Sequence, residues 1–501
     1  MKLPTLGLRG KPQLTIHLNE TRSTFQISDK ISGRITIKAS SNVRFDHLDI
    51  QFLGVSKTVI ENIRCAPGTS TARSASHNFL KLTQPISESS YPQPRILEAG
   101  KTYEFPFLFV VPQHLLPRAC CHAVHHESIR DQHLQLPPSL GGYSSSEGWT
   151  GSKMDDFCPE MANISYHVAA RLQGENRESI SLQKKVIDVM PSFDEQPPVN
   201  VDGPDSDWAM RKEKCIKKSL FKGRLGSLVV ESDQPKSLRL SADHSRSSAP
   251  VSTSAKIKLR FDPADSTISP PKLGTLSSKI KINTWFSDTA RAIVPNKKCF
   301  QYDPHQSLYF EFVNLSSRSM ENVEWKFEKD DSLPAIDRRD SAVSNTSASN
   351  EGLHTASERY EGKGFYTAEI IVPVTLPMMK RFVPSFHSCL ISRTYGLYLN
   401  LSVQGGTMTA PSLQLKLPIQ VSAEGKLSST TPSALASLTI AEQIEEARIA
   451  DEFFVPRTIS PVDPNLMGNS TLHGSSSGVP VDMPPDYERL THPVVEIRAV
   501  A

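Results

Sequence analysis

The chain has 501 residues, which is enough for two or three domains with separate hydrophobic cores. Its 56 basic and 53 acidic residues nearly cancel, a balance that favours neither nucleic acid nor a strongly acidic partner. The sequence contains no apolar run of the roughly 18 residues that a membrane-spanning helix needs. The N-terminal segment lacks the pattern of a secretory signal, so we expect a cytoplasmic protein whose seven cysteines are reduced thiols.

Apolar and polar residues alternate with a period of two through most of the first 420 or so residues, a pattern typical of half-buried β-strands. The candidates are ISGRITIK, LDIQF, YEFPFLFVV, YHVAARL, KIKLRF, IKINTWF, LYFEF, VEWKF, YGLYLNLSV and LQLKLPIQV. Because helical periodicity is nearly absent, the pattern predicts an all-β fold built from sandwiches. Proline has no amide hydrogen to donate, so Pro106 and Pro418 should lie on edge strands or at bulges.

Composition divides the chain into two predicted sandwiches. Residues 191–206 are rich in proline and acids and are predicted to link a sandwich at residues 12–190 to a second one at residues 207–422. Residues 70–79 and 337–357 have little apolar content and are predicted to be mobile insertions.

The strand pattern stops after residue 422. Residues 423–501 are rich in proline, serine and glycine and are predicted to form a largely disordered tail. Within it, a Thr/Ser start followed by spaced apolar residues predicts a helix over about residues 433–452.

A segment rich in cysteine and histidine interrupts the strand pattern of the first predicted sandwich. Its six such residues are Cys120, Cys121, His122, His125, His126 and His133. Adjacent cysteines rarely bind one ion, and no second cysteine or histidine pair follows, so the spacing does not fit a closed structural zinc site. We predict instead a short amphipathic helix packed on the sandwich, with no metal and no cofactor. The sequence also lacks an oxyanion loop, a phosphate-binding glycine loop and a His-Glu-x-x-His motif, so no catalytic site is predicted.

Several segments, in their order along the chain, resemble arrestin-like proteins, specifically the fungal branch of the α-arrestins (arrestin-related trafficking adaptors). In the first half they are FQISDKISGRITIKAS, LDIQFLGVSKTVI, KTYEFPFLFVVPQHLLP, HLQLPPSLG and ISYHVAARL. In the second half they are KSLFKGRLGSLVVESDQPKSLRL, KIKLRFDP and VPSFHSCLISRTYGLYLNLSV. The resemblance covers about residues 12–422 and implies two tandem arrestin-like (immunoglobulin-like) β-sandwiches in a non-enzymatic protein.

The same resemblance implies an adaptor that brings a Nedd4-type ubiquitin ligase of the HECT class to plasma-membrane cargo. Transporters or receptors would be recognised through their cytosolic tails, ubiquitinated and endocytosed. The expected location is the cytoplasm, with recruitment to the plasma membrane and endosomes. The alternative is an endosomal sorting scaffold of the retromer type, which also has arrestin-like sandwiches but needs no Pro-Pro-x-Tyr motif.

Pro484, Pro485 and Tyr487 form such a Pro-Pro-x-Tyr motif in the predicted tail. A Pro-Pro pair favours the polyproline II conformation, and its rings fit between the aromatic side chains of a WW domain. Leu490 can contact the same domain if the chain turns after Tyr487. The alternative, a tyrosine-based sorting signal at residues 487–490, is disfavoured because such signals act in the cytosolic tails of membrane proteins.

Two further features concern modification and membranes. Ser341 follows Arg338 and Arg339, a spacing that suits a basophilic kinase, so Ser341 is a possible phosphorylation site and an unmodified solvated loop is the alternative. Three basic residues, Lys256, Lys258 and Arg260, alternate along KIKLRF. They could make a peripheral contact with anionic lipid, but we expect a solvated outer face instead.

Overall fold

The computed structural model describes most of the first 425 residues, and these are folded mainly into β-sheet. The described residues are 11–20, 24–62, 71–141, 154–175, 178–198, 207–217, 223–241, 250–329, 355–358, 360–362, 364–404 and 411–425. The strands are β1 (Gln13–Leu18), β2 (Lys30–Lys38), β3 (Val43–Arg44), β4 (His47–Asn62), β5 (Thr71–Thr83), β6 (Ile96–Leu97), β7 (Thr102–Val110), β8 (Ala162–Gln173), β9 (Ser179–Ile187), β10 (Arg211–Lys217), β11 (Arg224–Ser232), β12 (Leu238–Leu240), β13 (Ser252–Pro263), β14 (Leu273–Ser287), β15 (Gln306–Ser319), β16 (Lys326–Lys329), β17 (Gly364–Thr375), β18 (Phe386–His387), β19 (Ile391–Val403), β20 (Ser412–Ile419) and β21 (Val421–Ala423). The α-helices among these residues are α1 (Glu127–Leu134) and α2 (Lys297–Tyr302).

The first sandwich packs a three-stranded sheet, in the order β1-β2-β7, against a four-stranded sheet, in the order β5-β4-β8-β9. Neighbouring strands in both sheets are antiparallel. In β2 the alternation places Ile31, Ile35 and Ile37 on the buried face. The two sheets meet where Phe52 of β4 lies 5.9 Å from Phe109 of β7 between ring centroids. Period-two patterning therefore produces the core that it predicted.

The second sandwich packs a five-stranded sheet, β10-β11-β13-β17-β16, against a sheet in which β14 and β19 are central. In that second sheet β15 pairs with β14, while β18 and β20 both pair with β19. The short strands β12 and β21 form a parallel pair beside them. Every predicted strand of this half is present, although VEWKF forms a strand only from Lys326 onward.

Both prolines that were predicted to lie on edge strands or at bulges are in edge strands. Pro106 is in β7, the last strand of its sheet, and faces Arg34 on its one neighbour. Pro418 is in β20, which pairs with β19 on one side. On its other side, β20 forms one backbone bridge, from Lys416 to Ala209, and the Ser412 carbonyl accepts from Lys214 Nζ over 3.2 Å. The missing amide hydrogen therefore removes no ladder bond from a central strand.

The prediction of a mobile insertion at residues 70–79 is wrong. Strand β5 runs through this segment and pairs with β4, for example Arg73 with Ile60 and His77 with Ser56. It is an edge strand, so many of its side chains face solvent, and serine, alanine and histidine suffice there. The second predicted insertion, residues 337–357, and the predicted helix over about 433–452 lie outside the described residues, apart from residues 355–357.

The expectation of a solvated face on KIKLRF fails at Arg260. This side chain is buried, its Nε donates to Asp262 Oδ1 over 2.8 Å, and its guanidinium lies 3.7 Å from the ring centroid of Phe365. The reason is that β13 lies in the middle of its sheet, so neighbouring side chains cover that end of its outer face. Lys256 and Lys258 each form an ion pair with an acidic side chain.

Gly33 provides a test of how tightly the first sandwich is packed. A Cβ added there would lie 2.2 Å from His17 O and 2.6 Å from Phe107 Cζ, so neither neighbour leaves room for a methyl group. We expect Gly33→Ala to lower the free energy of unfolding by about 2 kcal/mol or more, since overpacking displaces backbone in a paired strand. Denaturant unfolding followed by circular dichroism measures the change.

Gly223→Ala is the matched control, because its added methyl group meets no described atom within 4 Å. Its midpoint should stay near that of the unmodified chain. Equal midpoints for the two variants would contradict the packing seen around Gly33.

Candidate functional site

The residues that the sequence predicted for binding and modification lie outside the described residues. They are Pro484, Pro485, Tyr487, Leu490 and Ser341. Their roles therefore stay predictions. Within the described part, buried arginines and a group of cysteine and histidine side chains lie where the two sandwiches contact each other. We call this contact surface the junction.

The junction is built from side chains that leave their own sandwich and enter the core of the other. Phe286, Phe386 and Leu390 of the second sandwich are buried in the core of the first. Phe157, which precedes β8 in the first sandwich, is buried in the core of the second and lies 5.2 Å from Phe382 between ring centroids. The exchange makes the junction an apolar interior rather than a wet surface contact.

Arg393 of β19 is fully buried in this interior. Its Nη1 donates to the carbonyl oxygen of Asp156 over 2.9 Å, and its Nη2 donates to the carbonyl oxygen of Phe157 over 3.5 Å. The carboxylate of Asp156 accepts the Gly141 amide over 2.8 Å. A cation at the second sandwich thus fixes a backbone segment of the first.

An ion pair crosses the junction nearby. Arg381 Nη2 of the second sandwich lies 2.9 Å from Asp188 Oδ1 of the first, and both side chains are largely buried. Asp188 also accepts the Thr24 hydroxyl over 3.1 Å. A second pair, between Lys380 and Asp155 at 2.6 Å, is more exposed and so is screened by water.

Four cysteine and histidine side chains converge at another part of the junction, and we call them the Cys–His cluster. Cys120 follows the 3-10 turn Pro117–Ala119, and His122 is two residues further on. His133 lies in the last turn of α1. Cys389 comes from the second sandwich, in the loop between β18 and β19. The cluster therefore combines three residues of one sandwich with one of the other.

The loop and helix that carry the first three residues are fixed to each other. Arg130 of α1 donates from Nη1 to the carbonyl oxygen of Cys120 over 2.5 Å and from Nη2 to that of His122 over 3.3 Å. The helix itself begins at a side-chain cap, because His126 Nδ1 accepts the Ser128 amide over 3.1 Å.

The ligand atoms of the Cys–His cluster all lie within 4.8 Å of one another. Cys120 Sγ is 3.3 Å from His122 Nε2 and 3.6 Å from His133 Nδ1. Cys389 Sγ is 3.4 Å from the same His122 Nε2. Such a set of two sulfurs and two ring nitrogens has the donor types of a Cys2His2 metal site.

Burial controls the protonation of the cluster. It lowers the pKa of His133 to about 3 and also lowers the pKa of His122, so both imidazoles are neutral at pH 7. The neighbouring Cys389 side chain lowers the pKa of Cys120 to about 7, whereas Cys120 and burial raise the pKa of Cys389. Arg291, whose guanidinium interacts with Cys389, has its pKa lowered by burial to about 9.

The cluster was not predicted from the sequence, because the residues near Cys120 do not include all four members. The fourth member, Cys389, lies 269 positions later (389 − 120) and carries no local motif. The neighbouring Cys121 does not join the cluster, since its exposed thiol donates to the Arg118 carbonyl over 3.0 Å. The predicted short helix on the sandwich is confirmed as α1, whose buried side chains are Ile129 and His133.

The cluster is poorly placed for catalysis. Cys120, His133 and Cys389 are 1%, 3% and 4% exposed, so a substrate could not reach either thiol without opening the junction. A nucleophile must contact the atom it attacks, whereas a structural site gains from being sealed. The geometry therefore favours a structural role.

The buried ion pair at the junction gives a direct test. We expect Arg381→Ala to lower the free energy of unfolding by about 3 kcal/mol, because it leaves the Asp188 carboxylate buried without its cation. Lys380→Ala, which removes the exposed neighbouring pair, should cost only about 0.5 kcal/mol. Urea unfolding of both variants measures the difference, and equal losses would show that the Arg381 pair is not the buried contact described.

Comparison with known proteins identifies one domain of the chain. Residues 14–195 match the family model described as "Arrestin (or S-antigen), N-terminal domain". A search of curated proteins found no match. None of the described helices is long and apolar enough to cross a membrane. The match covers the first sandwich, and the described residues are folded mainly into β-sheet, with a second sandwich joined to the first.

Proposed function

We propose that this chain is a non-enzymatic adaptor of the fungal α-arrestin type that recruits a Nedd4-type HECT ubiquitin ligase to plasma-membrane transporters or receptors. The observation that carries the proposal is the combination, in one chain, of an arrestin-type N-terminal domain at residues 14–195 and a Pro-Pro-x-Tyr motif at residues 484–487. The sandwiches would bind the cargo and the motif would bind the ligase. Ubiquitination and endocytosis of the cargo would follow.

The motif has the chemistry that a WW domain recognises. Pro484 and Pro485 favour polyproline II, so little further conformational entropy is lost when the segment enters an aromatic groove. Tyr487 would fill the adjacent pocket, Asp486 would act as a spacer, and Leu490 would extend the contact. The motif follows β21, the last described strand, so a ligase bound there would not compete with any strand pairing described in the sandwiches.

The domain boundaries proposed for this adaptor remain residues 12–190 and 207–422, with residues 191–206 between them. The segment between the sandwiches is not wholly exposed, since Phe193 is buried and exchanges two backbone hydrogen bonds, of 3.0 and 2.9 Å, with Ala423.

A peripheral membrane contact through KIKLRF gains no support, because Arg260 is buried.

Binding to isolated WW domains of a Nedd4-type ligase tests the proposal. Pro485→Ala and Tyr487→Ala should each weaken binding by about thirtyfold, or ~2 kcal/mol, since each removes a ring that fills a pocket at the centre of a small interface. Leu490→Ala should weaken it less. Affinity is measured with the full chain by calorimetry or by titration of a labelled WW domain.

Asp486→Ala and Pro480→Ala are the matched controls, because one changes the spacer and the other a proline outside the motif. Both should bind as the unmodified chain does. Undiminished binding by the Pro485 and Tyr487 variants would refute the ligase-docking role and favour an endosomal scaffold of the retromer type.

Regulation by phosphorylation at Ser341 is a separate prediction. A phosphate there would add about two negative charges beside Arg338 and Arg339 and so create or block a partner surface. We expect a basophilic kinase to label the full chain at Ser341, as read by peptide mass spectrometry, and to fail on the Arg338→Ala/Arg339→Ala double variant. Ser344, which lacks arginines at the same spacing, is the internal control. Absence of phosphate from Ser341 would end the idea.

A further inference from the structure

The Cys–His cluster has a composition and geometry that hydrogen bonding alone does not explain. We propose that Cys120, His122, His133 and Cys389 bind one Zn²⁺ ion in a closed structural site that joins the two sandwiches. This inference does not rest on the proposed adaptor function, since it concerns only the junction.

The distances between the sulfur and nitrogen atoms of the cluster suit a tetrahedrally coordinated ion. Zinc bonds of about 2.3 Å to sulfur and about 2.05 Å to nitrogen place sulfur and nitrogen ligands about 3.6 Å apart at the tetrahedral angle. The cluster has sulfur–nitrogen separations of 3.3, 3.4 and 3.6 Å, and its widest separation stays within 4.8 Å. Movements of a few tenths of an ångström would therefore close most of the site around an ion.

His122 is already oriented as a metal ligand. Its Nδ1 lies 3.0 Å from the carbonyl oxygen of Ala123. A carbonyl can only accept, so Nδ1 carries the proton and Nε2 keeps its lone pair. That lone pair faces the sulfurs of both Cys120 and Cys389. A backbone carbonyl holding the second ring nitrogen is the usual support of a zinc-bound histidine.

Charge also favours zinc in this buried place. Two thiolates and two neutral imidazoles around Zn²⁺ have no net charge, so the desolvation cost of the ion is offset within the site. Without a metal, the same four groups could satisfy one another only through weak bonds to sulfur. Arg291 is buried beside Cys389, and its amide donates to the Cys389 carbonyl over 3.0 Å. Its cation stabilises the thiolate that zinc requires.

The connectivity gives the site its role. Three ligands come from the loop and helix of the first sandwich, and the fourth comes from the second, so the ion would cross-link the junction. Because Arg130 ties the backbone at Cys120 and His122 to α1, the first three ligands form a preorganised half-site to which Cys389 adds. Binding energy at such a site stabilises the joined state over any separated one.

Metal content of the full chain is the primary test. Protein expressed with added zinc, purified under reducing conditions and dialysed against metal-free buffer should retain about one zinc per chain, as for a closed four-ligand site. Cys389→Ser and His133→Gln should each retain less than about a tenth of that amount. Mass spectrometry of the metal gives the ratio. Replacing zinc by Co²⁺ should produce the visible absorption of a tetrahedral thiolate complex.

Cys121→Ser is the matched control, because it removes the adjacent, exposed thiol and should leave zinc content unchanged. Circular dichroism checks that each variant keeps its β structure. If a ligand variant fails to fold, the unmodified chain still decides the question. A strong chelator should lower its thermal unfolding midpoint by several degrees, and zinc should restore it. A folded Cys389→Ser variant should have a midpoint that the chelator does not change.

Three results would overturn the proposal. One is unmodified protein that holds less than about a tenth of a zinc per chain and gives no tetrahedral thiolate spectrum with Co²⁺. Another is equal loss of zinc in Cys121→Ser and Cys389→Ser. The third is a disulfide between Cys120 and Cys389 in zinc-supplemented protein, which would assign the pair to covalent cross-linking instead.

Discussion

A guanidinium with no exposure to solvent lies where the two sandwiches meet, and its donors must be satisfied inside the protein because an unpaired buried charge is costly. Arg393 meets this condition in part, because Nη1 and Nη2 donate to two backbone carbonyls from the other sandwich, those of Asp156 and Phe157, while Nε has no partner among the described residues. The arrangement works only if the segment that carries Asp156 is held in place. The Asp156 carboxylate does so by accepting the amides of Gly141 and Cys158. The apolar exchange at the junction thus depends on a polar network that specifies one relative placement of the two cores.

Other buried polar contacts at the junction reinforce the same placement by different means. The Arg381–Asp188 pair joins charges on opposite sides, and the Thr58 hydroxyl donates to the Ser287 carbonyl over 2.7 Å across the same surface. Each contact has a directional requirement that a purely apolar surface would lack. The junction is therefore better suited to holding one geometry than to sliding, which distinguishes it from the weak contacts usual between linked domains.

Period-two alternation predicted ten strands across both sandwiches, because half-buried antiparallel strands impose that period directly on the sequence, but it did not predict others such as β9, β11 and β17. The edge positions of Pro106 and Pro418 were predicted from the amide hydrogen that proline lacks. The alternation pattern failed where a strand does not have one solvent-exposed face and one buried face. Strand β5 is an edge strand with few apolar residues, so its sequence looked like a loop. Arg260 alternates with apolar residues as a solvated side chain would, yet Asp262 and Phe365 cover it. The Cys–His cluster depends on a contact between distant parts of the chain, which no local spacing encodes.

With zinc bound at the junction, the stability of the junction would depend on the oxidation state of Cys120 and Cys389. Thiolates bind zinc, whereas a disulfide does not, so a two-electron oxidant such as a peroxide, which is reduced to water while Cys120 and Cys389 form a disulfide, would release the ion. The ion pair and the Arg393 network have no such sensitivity, and they would keep the sandwiches in contact after the metal left. Loss of zinc would therefore lower the stability of the junction without separating the sandwiches.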